Sequence, residues 1–156
     1  MKIVKTSIED LVPDASNARS HSERNIKSIM DSLTRFGQQK PVVIDSNSVV
    51  VAGNGTVEAA KRLGWEKVST VTTKLDGVEK TAFAIADNRT AELAVWDMGQ
   101  LADHIEVIQD VDGMLESIGF TDGELETLFN TVESPEDFET INPETMDLEN
   151  ICPQCG

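Results

Sequence analysis

The residues best suited to bind a phosphate group are Gly53-Asn54-Gly55-Thr56. They follow a β-branched segment, residues 48–51, and precede a predicted helix over residues 57–63. Glycines allow the backbone to approach a ligand closely, and the start of a helix offers unpaired N–H groups to an anion. No Gly-Lys-Ser/Thr sequence follows, which excludes a Walker motif, and a glycine turn alone is more often a tight connection than a ligand site.

A second group of polar residues is Asp87-Asn88-Arg89. A carboxylate and an amide oxygen can share a Mg²⁺ ion while an arginine binds a phosphate. The alternative is a solvated helix turn with one ion pair. Glu23 and Asp87 are the candidate catalytic residues, but the spacing of Glu23 from Ser20 fits a capping box, which explains Glu23 without chemistry. The sequence shows no Ser/His/Asp or Cys/His constellation.

The two cysteines, Cys152 and Cys155, form a Cys-x-x-Cys-Gly pattern. This pattern is half of a zinc ribbon and supplies two of the four ligands that a structural zinc ion requires. A complete site would need a second copy of the chain, with one zinc shared across a homodimer, or a knuckle from another protein. A frayed terminus, a truncated ribbon or a reversible dithiol stays open as the alternative.

The apolar pattern predicts the elements that position these residues. Strands are predicted at residues 2–8, 41–44, 48–51 and 65–73, and helices at residues 20–36, 57–63, 77–93, 101–108, 114–118 and 121–129. Gly37 ends the first long helix, and Asp45-Ser46-Asn47 joins the second and third strands as a hairpin turn. We therefore divide the chain into a domain over residues 1–95, a helical extension over residues 96–130 and an acidic tail over residues 131–156.

Charge is distributed unevenly along the chain, whose net charge is −15. Residues 1–100 contain all 13 Lys and Arg against 13 acidic residues, whereas residues 101–156 contain the other 15 acidic residues. Neutralising duplex DNA needs clustered Lys and Arg, so nonspecific wrapping of DNA is excluded, while a local basic groove on residues 1–100 is not. No segment is long and apolar enough to span a membrane, and the N-terminus shows no secretory signal, so we expect a cytoplasmic protein.

The candidate residues belong to a series of motifs in a fixed order. The series is Asn17-Ala18-Arg19-Ser20-His21-Ser22, the helix that Gly37 ends, Pro41-Val42-Val43-Ile44, the glycine turn, Ile85-Ala86-Asp87-Asn88-Arg89, and Trp96-Asp97. It resembles the ParB/sulfiredoxin superfamily over about residues 3–130, and is closest to ParB-like domains of phages and mobile elements that are associated with DNA methyltransferases. The resemblance implies an α+β fold, with a small mixed sheet and packed helices, followed by short C-terminal helices and the acidic tail.

The resemblance also implies a nucleotide site at the glycine turn, where members of the superfamily bind CTP, ATP or ADP. The residues that it assigns to nucleotide binding are Arg19, Gly37, Pro41, Gly53, Asn54, Gly55, Thr56, Asp87, Asn88 and Arg89. Partition proteins continue the first glycine of this turn with Glu-Arg-Arg, so this chain lacks the arginines that would neutralise a triphosphate. Sulfiredoxin has its nucleophilic cysteine in the turn, where this chain has Asn54, so reduction of a sulfinic acid is not expected.

These features together are typical of a ParB-like accessory protein of phage or mobile-element DNA transactions, with a degenerate nucleotide pocket, in a bacterial host cell. Its expected ligands are a nucleoside tri- or diphosphate with Mg²⁺, and Zn²⁺ at the cysteine pair. Its expected partners are other proteins of a DNA-processing system and a second copy of the chain, with weak or indirect nucleic-acid contact. Two alternatives stay open: a Mg²⁺-dependent NTPase, kinase or nuclease, and an acidic protein that binds basic partners or mimics DNA.

Overall fold

The computed structural model of the protein describes residues 1–133. Its sheet consists of four strands, β1 (Ile3–Ser7), β2 (Val42–Ile44), β3 (Val50–Ala52) and β4 (Lys67–Thr72). They lie in the order β1-β4-β2-β3, in which β2 and β4 are parallel and the other two neighbouring pairs are antiparallel. The predicted α+β class, mixed sheet and β2-β3 hairpin are therefore confirmed.

Two helices pack against the strands, α1 (Glu23–Phe36) and α2 (Asn54–Arg62). The buried residues of this core include Ile26, Leu33, Val42, Ile44, Val50, Ala59, Ala60 and Val68. Each fully buried Ile, Leu or Val side chain contributes roughly 1.5–3 kcal/mol. The core therefore holds the glycine turn firmly, because that turn connects a buried strand to a buried helix.

The start of α1 differs from the predicted one. The capping box expected from Ser20 and Glu23 is wrong, because Ser22 is the N-cap and its hydroxyl accepts a hydrogen bond from the Asn25 N–H at 3.2 Å. The Glu23 carboxylate instead accepts hydrogen bonds of 2.6 and 3.1 Å from Arg62, which join α1 to α2. The hydrogen bond from Arg62 also holds the pKa of Glu23 below its usual value.

The next helix, α3 (Gly77–Leu93), has no buried residue. Its large apolar side chains are not covered by the described residues, since Val78 is 85% exposed and Ile85 is 59% exposed. An ion pair joins the helix to the β2-β3 turn, with Lys80 Nζ 2.7 Å from Asp45 Oδ2. The hydrogen bond from Lys80 holds the pKa of the Asp45 carboxyl below its usual range.

Three further helices, α4 (Met98–Ile108), α5 (Met114–Ser117) and α6 (Asp122–Glu133), form a second core. Its buried residues are Leu101, Ala102, Ile105, Leu125 and Leu128. A capping box starts α6: the Glu124 N–H donates to Thr121 Oγ1 at 3.3 Å, and the Thr121 N–H donates to Glu124 Oε2 at 2.8 Å. Glu124 also pairs with Arg24 of α1 at 2.5 Å, which joins these helices to the first core.

No helix among residues 1–133 is long and apolar enough to cross a membrane. Residues 134–156, with Cys152 and Cys155, lie outside the described residues. The division of the chain near residues 95 and 130, and the acidic tail, therefore stay predictions.

Candidate functional site

The connection between β3 and α2 requires glycine at position 53. Gly53 has a φ of +100°, in the left-handed region, and a Cβ atom there would lie 3.2 Å from Cγ2 of Val42. Glycine, which has no side chain, can adopt this backbone conformation and leaves room for the close approach of Val42. Gly53 is also the N-cap of α2 and offers no side-chain cap, so the first N–H groups of the helix are left to solvent or a ligand.

Gly55, in the first turn of α2, is required for a different reason. A Cβ atom at this position would lie 2.8 Å from Cε1 of His21 and 3.0 Å from Cδ1 of Ile29. The imidazole of His21 is held by Asn25, whose Oδ1 lies 2.7 Å from Nδ1. The absence of a side chain at Gly55 therefore lets the His21 ring lie directly against the start of α2.

These elements enclose a cleft of about 180 Å³, here named the turn cleft. It is bounded by the segment that precedes α1, by the end of β3 and the start of α2, and by α3. Among its lining residues are Arg19, Gly53, Asn54, Gly55, Thr56, Asp87 and Asn88. Seven of the ten residues that the resemblance assigns to nucleotide binding thus lie together.

The remaining candidates do not line the turn cleft. Arg89 lines a neighbouring cleft of about 370 Å³, here named the α3 cleft, and its Nη1 lies 3.4 Å from Glu92 Oε2. Gly37, with a φ of +68°, ends α1, and Pro41 directly precedes β2. Glu23 lies at the start of α1 in its contact with Arg62. Their assigned roles stay predictions.

Arg19 is the one arginine or lysine among the residues that line the turn cleft. Its Nη1 donates to Glu92 Oε1 at 2.8 Å and to Asn88 Oδ1 at 3.3 Å, so α3 holds its guanidinium. Asn17 holds the backbone of Arg19, because its amide donates to the Arg19 carbonyl at 2.9 Å and accepts from the Arg19 N–H at 3.3 Å. A phosphate in the cleft would therefore compete with Glu92 for this guanidinium.

The sequence reasoning did not assign three residues to the site: Asn17 and His21, which line the turn cleft, and Glu92, which lines the α3 cleft and contacts Arg19. Asn17 and His21 flank Arg19 in the first motif, and that position was the one available signal. Glu92 gave no local signal, because its contact with Arg19 joins residues 73 positions apart.

Residues 1–133 contain no group of three or more His, Cys, Asp or Glu side chains that could hold a metal ion. Asp87 and Asn88 can offer two oxygen atoms, but the Asn88 Oδ1 already accepts from Arg19. An octahedral Mg²⁺ ion would need its other ligands from water and phosphate. The described residues therefore fit a Mg²⁺ ion that arrives with a nucleotide better than a resident one.

A larger cleft of about 840 Å³, here named the α2 cleft, adjoins the turn cleft and shares Asn17, His21 and Asn54 with it. Its lining includes the half-buried ring of Trp65. Both the α2 cleft and the α3 cleft have volumes usual for small-molecule sites. The site as a whole can thus accommodate phosphate groups at the glycine turn and a larger organic group beside it.

Comparison with known protein families and sequences gives two findings. Residues 1–89 match the family model of the ParB N-terminal domain. A segment of 71 residues is 37% identical to the ParB-like nuclease domain-containing protein YnaK of Escherichia coli (strain K12), and it covers 46% of this chain and 82% of that protein. Membership of the ParB/sulfiredoxin superfamily, expected from the motifs, is confirmed.

Solved structures show the same fold. The C-terminally truncated chromosome-partitioning protein ParB from Caulobacter crescentus, complexed with CTP-γ-S, superimposes with a TM-score of 0.73 at 18% identity, over 87% of this chain and 81% of that chain. A Pnob8-like ParB-N domain gives a TM-score of 0.50 at 20% identity, over 69% of this chain and 47% of that chain. The similarity to the Caulobacter protein extends beyond the segment that matches the family model, and so supports the placement of the helices after α3.

Proposed function

The chain belongs to the ParB N-terminal domain family, and from this premise we propose that its turn cleft binds the phosphates of a nucleotide, in a protein that serves DNA transactions. The observation that carries the proposal is the convergence of Arg19 and the uncapped start of α2 on one cleft. A helix start and an arginine are suited to the same anion. The structural neighbour from Caulobacter crescentus is complexed with CTP-γ-S, which supports a nucleoside triphosphate as the class of ligand.

The proposed site should bind phosphate less strongly than an arginine-rich one. Asn54 and Thr56 contribute no charge, so backbone N–H groups and Arg19 would carry the interaction. Asp87 adds negative charge to the cleft unless Mg²⁺ accompanies the nucleotide. We therefore expect nucleotide binding to depend on Mg²⁺, with Asp87 and Asn88 at the metal-facing side.

A calorimetric titration with CTP, ATP, ADP and GTP, with and without Mg²⁺, tests the proposal. Arg19→Gln should weaken binding about 10- to 100-fold, because charged hydrogen bonds contribute roughly 1.5–3 kcal/mol. Arg35→Gln is the matched control, since Arg35 is exposed near the end of α1 and does not line the turn cleft. No binding of any of the four nucleotides, or equal affinity in both variants, would reject the turn cleft as the site.

We propose that this protein takes part in DNA transactions mainly through partner proteins and less through direct contact with DNA. Residues 98–133, which include α4 to α6, contain no Lys or Arg, so phosphate contacts from these helices are not expected. Other proteins of a phage or mobile-element system, and a second copy of the chain, are the proposed partners. A duplex-binding assay over a range of salt should show weak affinity that rises when residues 134–156 are removed, because their acidic residues repel DNA.

Two other functions have a specific observation in their favour. The similar protein YnaK is named for a ParB-like nuclease domain, which favours a nuclease over an NTPase or a kinase among the Mg²⁺-dependent alternatives. A cleavage assay on DNA and a phosphate-release assay distinguish these activities. The 15 acidic residues among residues 101–156 favour an acidic protein that binds basic partners or mimics DNA. Binding to a basic protein that is lost at high salt and on removal of residues 134–156 would support that function.

Zinc binding is proposed for Cys152 and Cys155, on the Cys-x-x-Cys spacing. Four thiolates from two chains would complete the site, so metal analysis should give about one zinc per two chains. Cys152→Ser should then lose both the metal and the dimer. Metal-free protein that dimerises unchanged after this substitution would reject the shared site.

A further inference from the structure

His21 occupies a position in the turn cleft that phosphate binding alone does not require. Its ring lies against the first turn of α2, with Cε1 2.8 Å from the point where a Cβ on Gly55 would be. Because Cε1 is bonded to both ring nitrogens, Nε2 also lies beside this turn. The residue lines both the turn cleft and the α2 cleft, at the place where they meet.

Asn25 fixes the protonation pattern of the neutral ring. Its Oδ1 lies 2.7 Å from Nδ1 of His21, and an amide oxygen only accepts hydrogen bonds. The proton of the neutral imidazole is therefore on Nδ1, which leaves the lone pair on Nε2. A histidine held in this way by a neighbouring side chain is arranged to take a proton from a water molecule.

Resting on the proposed nucleotide site, we propose that His21 is a general base that activates water for hydrolysis of the terminal phosphate of the bound nucleotide. Nε2 takes a proton from the water, and the water oxygen forms a bond to the terminal phosphorus. The bond from that phosphorus to the bridging oxygen breaks, and its electron pair stays with the nucleoside diphosphate. The proton then passes from Nε2 to the phosphate products, which restores the neutral ring.

The other titratable groups near the site are less suited to this role. Both carboxylate oxygens of Glu23 accept hydrogen bonds from Arg62, and Glu23 does not line the turn cleft. Asp87 lines the cleft, but it is suited to a Mg²⁺ ion brought by the nucleotide. His104 is exposed on α4, outside the cleft.

The test separates binding from turnover in the full chain. Binding is measured by calorimetry with the β,γ-imido analogues of ATP and CTP, and turnover by phosphate release from ATP and CTP, all with Mg²⁺. His21→Gln should lower turnover by about 10²- to 10⁴-fold, the range for loss of a general base, while affinity changes by less than about threefold. His104→Gln is the matched control and should change neither quantity.

A pair of substitutions at Asn25 tests the same role with His21 intact. Asn25→Asp keeps an acceptor for Nδ1 and should retain turnover, whereas Asn25→Leu removes the acceptor and should lower turnover by roughly 10- to 100-fold, as for other orienting partners. Both variants should bind the analogues like the wild type. This contrast distinguishes a catalytic histidine from one that only supports the fold, because the Ser22 cap of α1 accepts from the Asn25 backbone and is kept in both.

The outcomes separate the two proposals. If the wild type binds no nucleotide, the proposed site is rejected and the catalytic role with it. If the wild type binds nucleotide but releases no phosphate, or if His21→Gln releases phosphate at the wild-type rate, the nucleotide site stands and the role of His21 is overturned. In water labelled with ¹⁸O, the label should appear in the released phosphate, and its absence there would reject attack at the terminal phosphorus.

Discussion

Removal of the ion pair between Arg19 and Glu92 should strengthen the binding of a ligand, although the loss of an ion pair usually weakens a protein's interactions. Arg19 Nη1 lies 2.8 Å from Glu92 Oε1, and the same guanidinium is the proposed cation for phosphate. Glu92→Gln removes the charge that competes with the ligand while keeping a side chain of similar size. We therefore expect this substitution to tighten nucleotide binding instead of weakening it.

The magnitude follows from the exposure of the pair. The Arg19 and Glu92 side chains are 44% and 48% exposed, so water screens their attraction. An exposed pair of this kind contributes about 0.2–1 kcal/mol. Two like unit charges about 7 Å apart repel each other by roughly 0.6 kcal/mol in a medium like water, so Glu92 would also repel a phosphate held by Arg19 by an energy of this order. Together these effects predict a roughly three- to tenfold lower Kd, since 1.4 kcal/mol corresponds to a factor of ten.

Calorimetry with the nucleotide that the wild type binds tests this expectation at two salt concentrations. The gain in affinity should shrink at high salt, because screening weakens both the ion pair and the repulsion. Glu79→Gln is the matched control, as Glu79 is exposed in the first turn of α3 and does not line the turn cleft. Equal affinity in the two variants, or weaker binding by Glu92→Gln, would refute the assignment of Arg19 as the phosphate-binding cation.

Substitutions at three further residues test contacts that support the fold. The pKa of Glu124 is lowered from 4.5 to about 2, chiefly by its hydrogen bond from Arg24, so its contribution to stability is present above pH 4.5 and is lost as the pH falls toward 2. Glu124→Gln should therefore make the melting temperature depend less on pH in the acid range. An unchanged dependence on pH would contradict this. The buried carboxylate of Asp45 accepts hydrogen bonds from two backbone N–H groups, both at Oδ1. Asp45→Ala should lower the free energy of unfolding by roughly 2–5 kcal/mol in denaturant titrations, and Asp45→Asn should lower it by less, because Asn keeps one side-chain oxygen as an acceptor. Equal losses in the two variants would refute the argument. Gly55→Ala should lower the free energy of unfolding by roughly 1–3 kcal/mol and displace the ring of His21. Denaturant unfolding curves and the NMR resonances of the histidine ring can detect these two changes. Unchanged curves and resonances would exclude the close contact.

Most elements could be predicted from local pattern, because their apolar residues recur at the spacing of the buried face. Ile26 and Leu33 are buried as the period of α1 requires, and the helix ends at Gly37, which has a positive φ of +68°. The start of α1 could not be settled in this way. Ser20 and Ser22 both precede the helix, and the Glu23 carboxylate that a capping box with Ser20 would need accepts from Arg62 of α2 instead. No local pattern contains that contact.

The site shows the same division between local and long-range information. The role of Gly53 could be predicted, because a strand-to-helix turn with a left-handed residue needs glycine. The packing of His21 on Gly55 could not, because it depends on how α1 approaches α2. The sequence of the glycine turn does not show that a larger side chain at position 55 would find no room beside His21 and Ile29, as the structure does.

The two sides of the turn cleft are held by different forces. Gly53 and Gly55 follow a buried strand and begin a helix whose alanines are fully buried, so packing fixes their positions. Asp87 and Asn88 lie on α3, which has no buried residue and is joined to the rest of the described chain through polar contacts such as Lys80 with Asp45 and Arg19 with Glu92. The Arg19–Glu92 contact is exposed and therefore weak and sensitive to salt, whereas Asp45 is buried in its contact with Lys80, and a packed core does not depend on salt. The backbone proposed to bind phosphate is thus preorganised, and the position of the side proposed to face the metal depends in part on the same arginine that the phosphate would bind.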